Sequence, residues 1–154
     1  MQKVVITGHD LTVDQIIAVC REGAEVVLSD ESREKILASR QVVNELVEER
    51  KVVYGITTGF GKFSDVVISQ DECKLLQKNL IITHAVGAGD PFKEDIARGI
   101  LLLRVNSLSN GFSGICLETV ETMIAIHTAA VEGRPGLDRV VTCLLYTSPS
   151  PRDR

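Results

Sequence analysis

Residues 30–49 read DESREKILASRQVVNELVEE, and this stretch decides what kind of fold the chain adopts. Ile36, Val43, Leu46 and Val47 recur at spacings of three, four and seven, with Glu, Arg and Lys between them. That is the period of one apolar face on an α-helix. The spacing predicts a long helix from Asp30 to about Glu49.

Upstream the chain is mixed. Val4, Val5 and Ile6 predict a short strand ending at Gly8. Thr12 followed by Gln15 has the form of a capping box, opening a short helix that carries Ile16, Ile17, Val19 and Cys20 and stops at Gly23. Val26 to Leu28 is a second short strand. The two strands are close enough in sequence to pair.

Downstream, Ser69 with Glu72 forms a second capping-box pattern, and the helix it opens carries Leu75, Leu76, Leu80 and His84 before Gly87. Asp90-Pro91 is a helix start signal, an N-cap acceptor with Pro in the first turn. That helix is expected to reach about Ser109 and close at Asn110-Gly111. Ser113 or Gly114 starts the next, with Leu117, Val120, Met123, Ile124 and His127 along it. The chain therefore reads as mainly α, with a small β-containing N-terminal piece.

Composition agrees. Among 154 residues, 44% are apolar, only 4% are aromatic and there is no Trp, so the core is aliphatic and suits helix packing. The net charge of −4 comes without a Lys/Arg cluster, which excludes a nucleic-acid phosphate surface. Arg98 interrupts the most apolar run, Ile96 to Leu103, and Arg104 closes it. That run is far short of the ~20 apolar residues a membrane-spanning helix needs. Met1-Gln2-Lys3 leads into no apolar signal segment. Cys20, Cys73, Cys116 and Cys143 form no CxxC pair and have no His at ligand spacing, so they read as reduced thiols of a cytoplasmic protein, with no metal site.

Residues 52–64, VVYGITTGFGKFS, break the helical pattern and read as an ordered glycine-rich loop. A phosphate loop fails on spacing, since Phe63 follows Gly61-Lys62 where Ser or Thr is required. The dinucleotide pattern fails in this loop and again at Gly87-Ala88-Gly89, where Phe92 takes the last position. Two readings remain open. Tyr54 is a general base or acid in a loop whose glycines let backbone approach a ligand, or it is a packing residue in a tight structural turn. For His84 the alternatives are ligand recognition and a helix-end His bonded to a backbone carbonyl. His9 reads as structural or solvated, His127 as a packed or surface residue, and Arg104 and Asn106 as members of a buried network.

YGITTGFG at residues 54–61 resembles the signature loop of the aromatic amino acid ammonia-lyase and aminomutase family. LQKNLIITHAVGAG at residues 76–89 resembles the LQxNLIxSHAxGxG segment of its histidine branch. LLRVN at 102–106 and GFSG at 111–114 follow in the family's order. The resemblance covers residues 1–126 and implies the N-terminal portion of an ammonia-lyase helical fold with a glycine-rich active-site lid loop. It implies that Tyr54 takes the substrate β-proton and that His84 contacts the substrate side chain. The lid comprises Gly55, Thr57, Thr58, Gly59, Phe60 and Gly61, with the three glycines as pivots, and Asn79 supports His84. The implied activity is elimination of ammonia from L-histidine to give trans-urocanate, in a homotetramer. A tyrosine ammonia-lyase or aminomutase also fits His84, and a small helical binding domain without chemistry is the reading from another class.

The sequence also departs from the family. The family's electrophile is a methylidene-imidazolone formed from an internal Ala-Ser-Gly, and no Ala-Ser-Gly occurs in this chain; the nearest matches are Ala38-Ser39-Arg40 and Phe112-Ser113-Gly114. No external cofactor is implied. Residues 127–154 stop matching and end in a proline-containing polar tail, expected to be disordered or a product of a foreign junction. The expectation is a polypeptide inactive by itself and exposing apolar positions such as Ile100, Leu101 and Leu103.

Overall fold

The computed structural model describes residues 2–54, 56–58, 72, 75, 76, 78, 79, 82, 83 and 92–131. Strand β1 (Lys3–Ile6) is followed by helix α1 (Val13–Glu22), strand β2 (Glu25–Leu28) and helix α2 (Asp30–Glu48). Helix α3 (Glu94–Leu108) and helix α4 (Leu117–Val131) complete the described elements. The two strands pair in parallel, Lys3 opposite Glu25 and Ile6 opposite Leu28, so α1 is the crossover of a small βαβ unit. This is the mainly helical architecture expected from the sequence, with its small β-containing piece.

Local signals set the first elements. Thr12 Oγ1 accepts from the Gln15 N–H at 3.3 Å, and Gln15 Oε1 accepts from the Thr12 N–H at 2.9 Å. Each end of this capping box satisfies one otherwise unpaired donor of the first turn. Gly23 closes α1 in the left-handed conformation, and the Ala24 N–H after it donates to the Ala18 carbonyl at 3.0 Å. Ser29 caps α2, its Oγ accepting from Ser32 N–H at 3.1 Å.

The core lies where the βαβ unit meets α3 and α4. Val4, Ile6, Val26 and Leu28 from the strands meet Val19 of α1, Ile36 of α2, Leu102 and Val105 of α3, and Val120 of α4. Every second strand residue is buried, because a two-stranded sheet covers only one face; Val5 on the other face is exposed. Fully burying an aliphatic side chain of this size contributes about 1.5–3 kcal/mol.

Three expectations change. Helix α3 starts at Glu94, later than Asp90-Pro91 suggested, and Asp90 and Pro91 lie outside the described residues. Its N-cap is Lys93, whose carbonyl receives the Ile96 and Ala97 N–H groups, and Glu94 and Asp95 put negative charge at the positive end of the helix. Helix α4 starts at Leu117, three residues after Gly114, because Gly114 is held at φ +66° against α2. Its N–H donates to Ser39 Oγ at 2.9 Å, and its carbonyl accepts from Arg40 Nη1 at 3.2 Å. A Cβ there would stand 2.4 Å from Val43 Cγ2, so glycine is required for both conformation and contact.

The third change concerns faces of α3. Arg104 is exposed, so only Asn106 of the expected pair joins a partly buried network. Leu101 is buried, and Leu103 is the exposed member of the apolar trio. Arg98 turns inward instead.

No described helix is long and apolar enough to cross a membrane, and no metal-ligand cluster occurs among the described residues. Cys20 and Cys116 are free thiols, Cys20 buried. Helix α4 runs through Val131, five residues past the expected end of the family-like region; residues 132–154 lie outside the described residues.

Candidate functional site

The loop that carries Tyr54 begins where α2 ends, and the ending is specific. The Lys51 N–H donates to the Leu46 carbonyl at 3.1 Å and the Arg50 N–H to the Val47 carbonyl at 3.2 Å. Together with Arg50 at φ +53°, these bonds form a Schellman motif with arginine where glycine is usual. The motif reverses the chain and delivers Val52, Val53 and Tyr54.

A tight turn follows. The N–H groups of Ile56 and Thr57 both donate to the Val53 carbonyl, at 3.1 and 3.0 Å. Thr57 Oγ1 accepts from the Val53 N–H at 2.9 Å and donates to the Lys51 carbonyl. One buried hydroxyl thus ties the entry of the loop to its first turn. Thr57 and Thr58 are 7% and 1% exposed, whereas Tyr54 is 53% exposed. The turn buries its threonines and leaves its tyrosine about half exposed.

Of the other expected site residues, Gly55, Gly59, Phe60, Gly61 and His84 lie outside the described residues, so the structure places neither the lid beyond Thr58 nor the imidazole relative to Tyr54. Glu72, Leu75, Leu76, Lys78, Asn79, Ile82 and Thr83 are helical, as the second capping-box pattern predicts. Within that helix the Asn79 carbonyl accepts from Thr83 Oγ1 at 2.9 Å, and Asn79 itself is exposed. His9 is exposed, its Nε2 lying 3.6 Å from Asp10 Oδ2.

Sequence reasoning missed a polar group under α3. Arg98 has a side chain only 11% exposed, and its Nη1 donates to the Cys20 carbonyl at 3.1 Å. His127 on α4 is 3% exposed, and its pKa is lowered to about 4 by burial and, secondarily, by the positive charge of Arg98. It is therefore neutral at physiological pH. Burial pushes the Cys20 thiol up, opposed by Arg98. The available signal was a lone cation inside the apolar run Ile96 to Leu103, at a spacing that faces Leu101, Leu102 and Val105 rather than solvent.

A sequence profile of the aromatic amino acid lyase family matches residues 11–132. The histidine ammonia-lyase of Caldanaerobacter subterraneus subsp. tengcongensis is 56% identical over 124 residues, 80% of this chain and 24% of its own length. Among solved structures, histidine ammonia-lyase from Trypanosoma cruzi superposes with a TM-score of 0.77 at 40% identity, over 83% of this chain and 25% of that one. Tyrosine aminomutase from Streptomyces globisporus superposes equally well, TM-score 0.77, at 31% identity over 83% of this chain and 24% of that one. The chain thus spans about a quarter of the length of the curated relatives it matches.

Proposed function

The chain belongs to the aromatic amino acid lyase family, and from that premise we propose that it carries the amino-terminal region of an enzyme that eliminates ammonia from L-histidine to give trans-urocanate. The observation that carries the substrate is the gap in identity at equal structural likeness. The fold fits the histidine and tyrosine enzymes alike, but the sequence is 40% identical to the first and 31% to the second. The 56% identity to a curated histidine ammonia-lyase points the same way.

In this reading Tyr54 is the base that removes the substrate β-proton. A phenol with pKa about 10 must be activated by its surroundings before it can do so at neutral pH. What supports the reading is that the Schellman turn and the Thr57 hydroxyl fix the backbone on either side of Tyr54 while the residue stays about half exposed. His84 donates or accepts a hydrogen bond to the substrate imidazole, and Gly55, Gly59 and Gly61 let the lid close. The working enzyme is a cytoplasmic homotetramer.

The family's methylidene-imidazolone makes the amino group a better leaving group. The residues of this chain do not fit that role, because no Ala-Ser-Gly is present, and no step is assigned to the group here. The 154-residue chain alone is accordingly inactive. Incubating it with L-histidine and following urocanate absorbance is expected to show no turnover. Extending the chain with its downstream coding sequence is expected to restore it, and Tyr54→Phe in the extended enzyme lowers kcat by about 100-fold or more. Turnover of L-tyrosine in preference to L-histidine, or full activity in Tyr54→Phe, would overturn the assignment.

A further inference from the structure

Arg98 presents two faces of its guanidinium to two environments. Nη1 is satisfied, donating to the Cys20 carbonyl at 3.1 Å and lying 3.4 Å from the carboxylate of the exposed Glu94. Nε and Nη2, which share the opposite edge of the planar group, are shielded from solvent and have no hydrogen-bond partner among the described residues. His127 Nε2, on the neighbouring helix, is also shielded and has no partner among the described residues. Asp95, the second acid in the first turn of α3, is engaged elsewhere, pairing with Arg21 at 3.1 Å. A buried guanidinium edge without an acceptor is costly, because it has lost its water and gained nothing in return.

We propose that the Nε–Nη2 edge of Arg98, together with His127 Nε2, is a binding site for one carboxylate group between α3 and α4. Two parallel N–H donors on a planar edge match the two oxygens of a carboxylate, and His127 in the tautomer with the proton on Nε2 offers a further donor from the neighbouring helix. Glu94 reaches only Nη1 and is itself exposed, so the inner edge keeps two unsatisfied charged donors that a carboxylate matches and a single water does not. A bound carboxylate would also relieve the repulsion that Arg98 exerts on a protonated His127. The carboxylate comes from a small free acid or from an Asp or Glu side chain, and the chemistry of the edge is the same for both. The inference is independent of the reaction proposed above.

The test is NMR of the 154-residue chain labelled with 15N at arginine and histidine, titrated with sodium formate against sodium chloride at equal ionic strength. A free-acid site shows a saturable downfield shift of the Arg98 Nε–H and a rise in the His127 midpoint with formate alone. The apparent affinity weakens at least tenfold in Arg98→Lys, which keeps the charge and loses the fork. A side-chain source shows a downfield, exchange-protected Nε–H before any formate is added, and that signal disappears as pH falls through the carboxylate range. A signal indifferent to formate and to pH in that range means that water alone sits at the edge, and it overturns the proposal.

Discussion

Asn106 holds the backbone of Gly8 from both sides: its Nδ2 donates to the Gly8 carbonyl at 3.3 Å and its Oδ1 accepts from the Gly8 N–H at 3.2 Å. The side-chain amide acts as a third strand of one residue, continuing β1 onto α3. Asn110 Nδ2 adds a second donor to the same carbonyl at 2.9 Å. Gly8 stands at φ +92°, and a Cβ there would meet Asn110 at 2.8 Å, so this junction admits no other residue without a shift. Asn106→Asp keeps the shape but turns a donor into an acceptor facing a carbonyl. It should cost about 1–3 kcal/mol in urea unfolding, and Asn106→Ala a similar amount. An Asp variant as stable as the parent would show that the pair carries no weight.

The Thr57 hydroxyl links stability to the proposed chemistry. Thr57→Val leaves the Val53 N–H and the Lys51 carbonyl without their side-chain partner in a buried turn. In the extended, active enzyme the expected result is a fall in kcat of roughly 10-fold with KM changed less, because placement of Tyr54 is loosened and substrate contacts are not. Equal falls in Thr57→Val and Thr57→Ser would contradict this, since serine retains the hydroxyl.

Arg50 occupies a conformation that costs an L-residue about 1–2 kcal/mol. Arg50→Gly removes that strain but frees the unfolded chain, so a net stabilisation of up to about 1 kcal/mol is expected. Thermal denaturation checks it, and destabilisation by the glycine would mean that the arginine side chain has an unrecognised role.

His127 makes stability depend on pH in a defined window. Its folded pKa is about 4 against an ordinary value of 6.5, so between these values the unfolded chain binds the proton more readily. Stability therefore rises with pH from about 4 to about 6.5 and gains nothing from this group above that. In chloride buffer without carboxylates the span is about 3 kcal/mol. His127→Leu should flatten the profile in this window, as measured by urea midpoints at successive pH values; an unchanged slope would refute the burial argument.

Cys20 is buried and its thiol is pushed upward, whereas Cys116 is half-buried in the segment before α4. Iodoacetamide at pH 7.5 should label Cys116 well before Cys20 by peptide mass mapping.

The elements with local causes were readable in advance. The Thr12–Gln15 box, Gly23 after α1 and the apolar spacing of α2 each act within a few residues, so the order of letters contains the whole interaction. The tyrosine loop was readable as a loop for the same reason, and its family likeness came from its letters. What the tertiary structure decided lies between residues far apart in the chain. Arg98 reaches Cys20 across 78 positions, Asn106 reaches Gly8 across 98, and Gly114 rests on Ser39 across 75. No spacing rule reports that α3 turns Arg98 inward and Arg104 outward, because the side of a helix that is buried is chosen by what packs against it. The start of α4 moved for the same reason: contact with α2 holds Gly114 out of the helical conformation that its neighbours would otherwise allow.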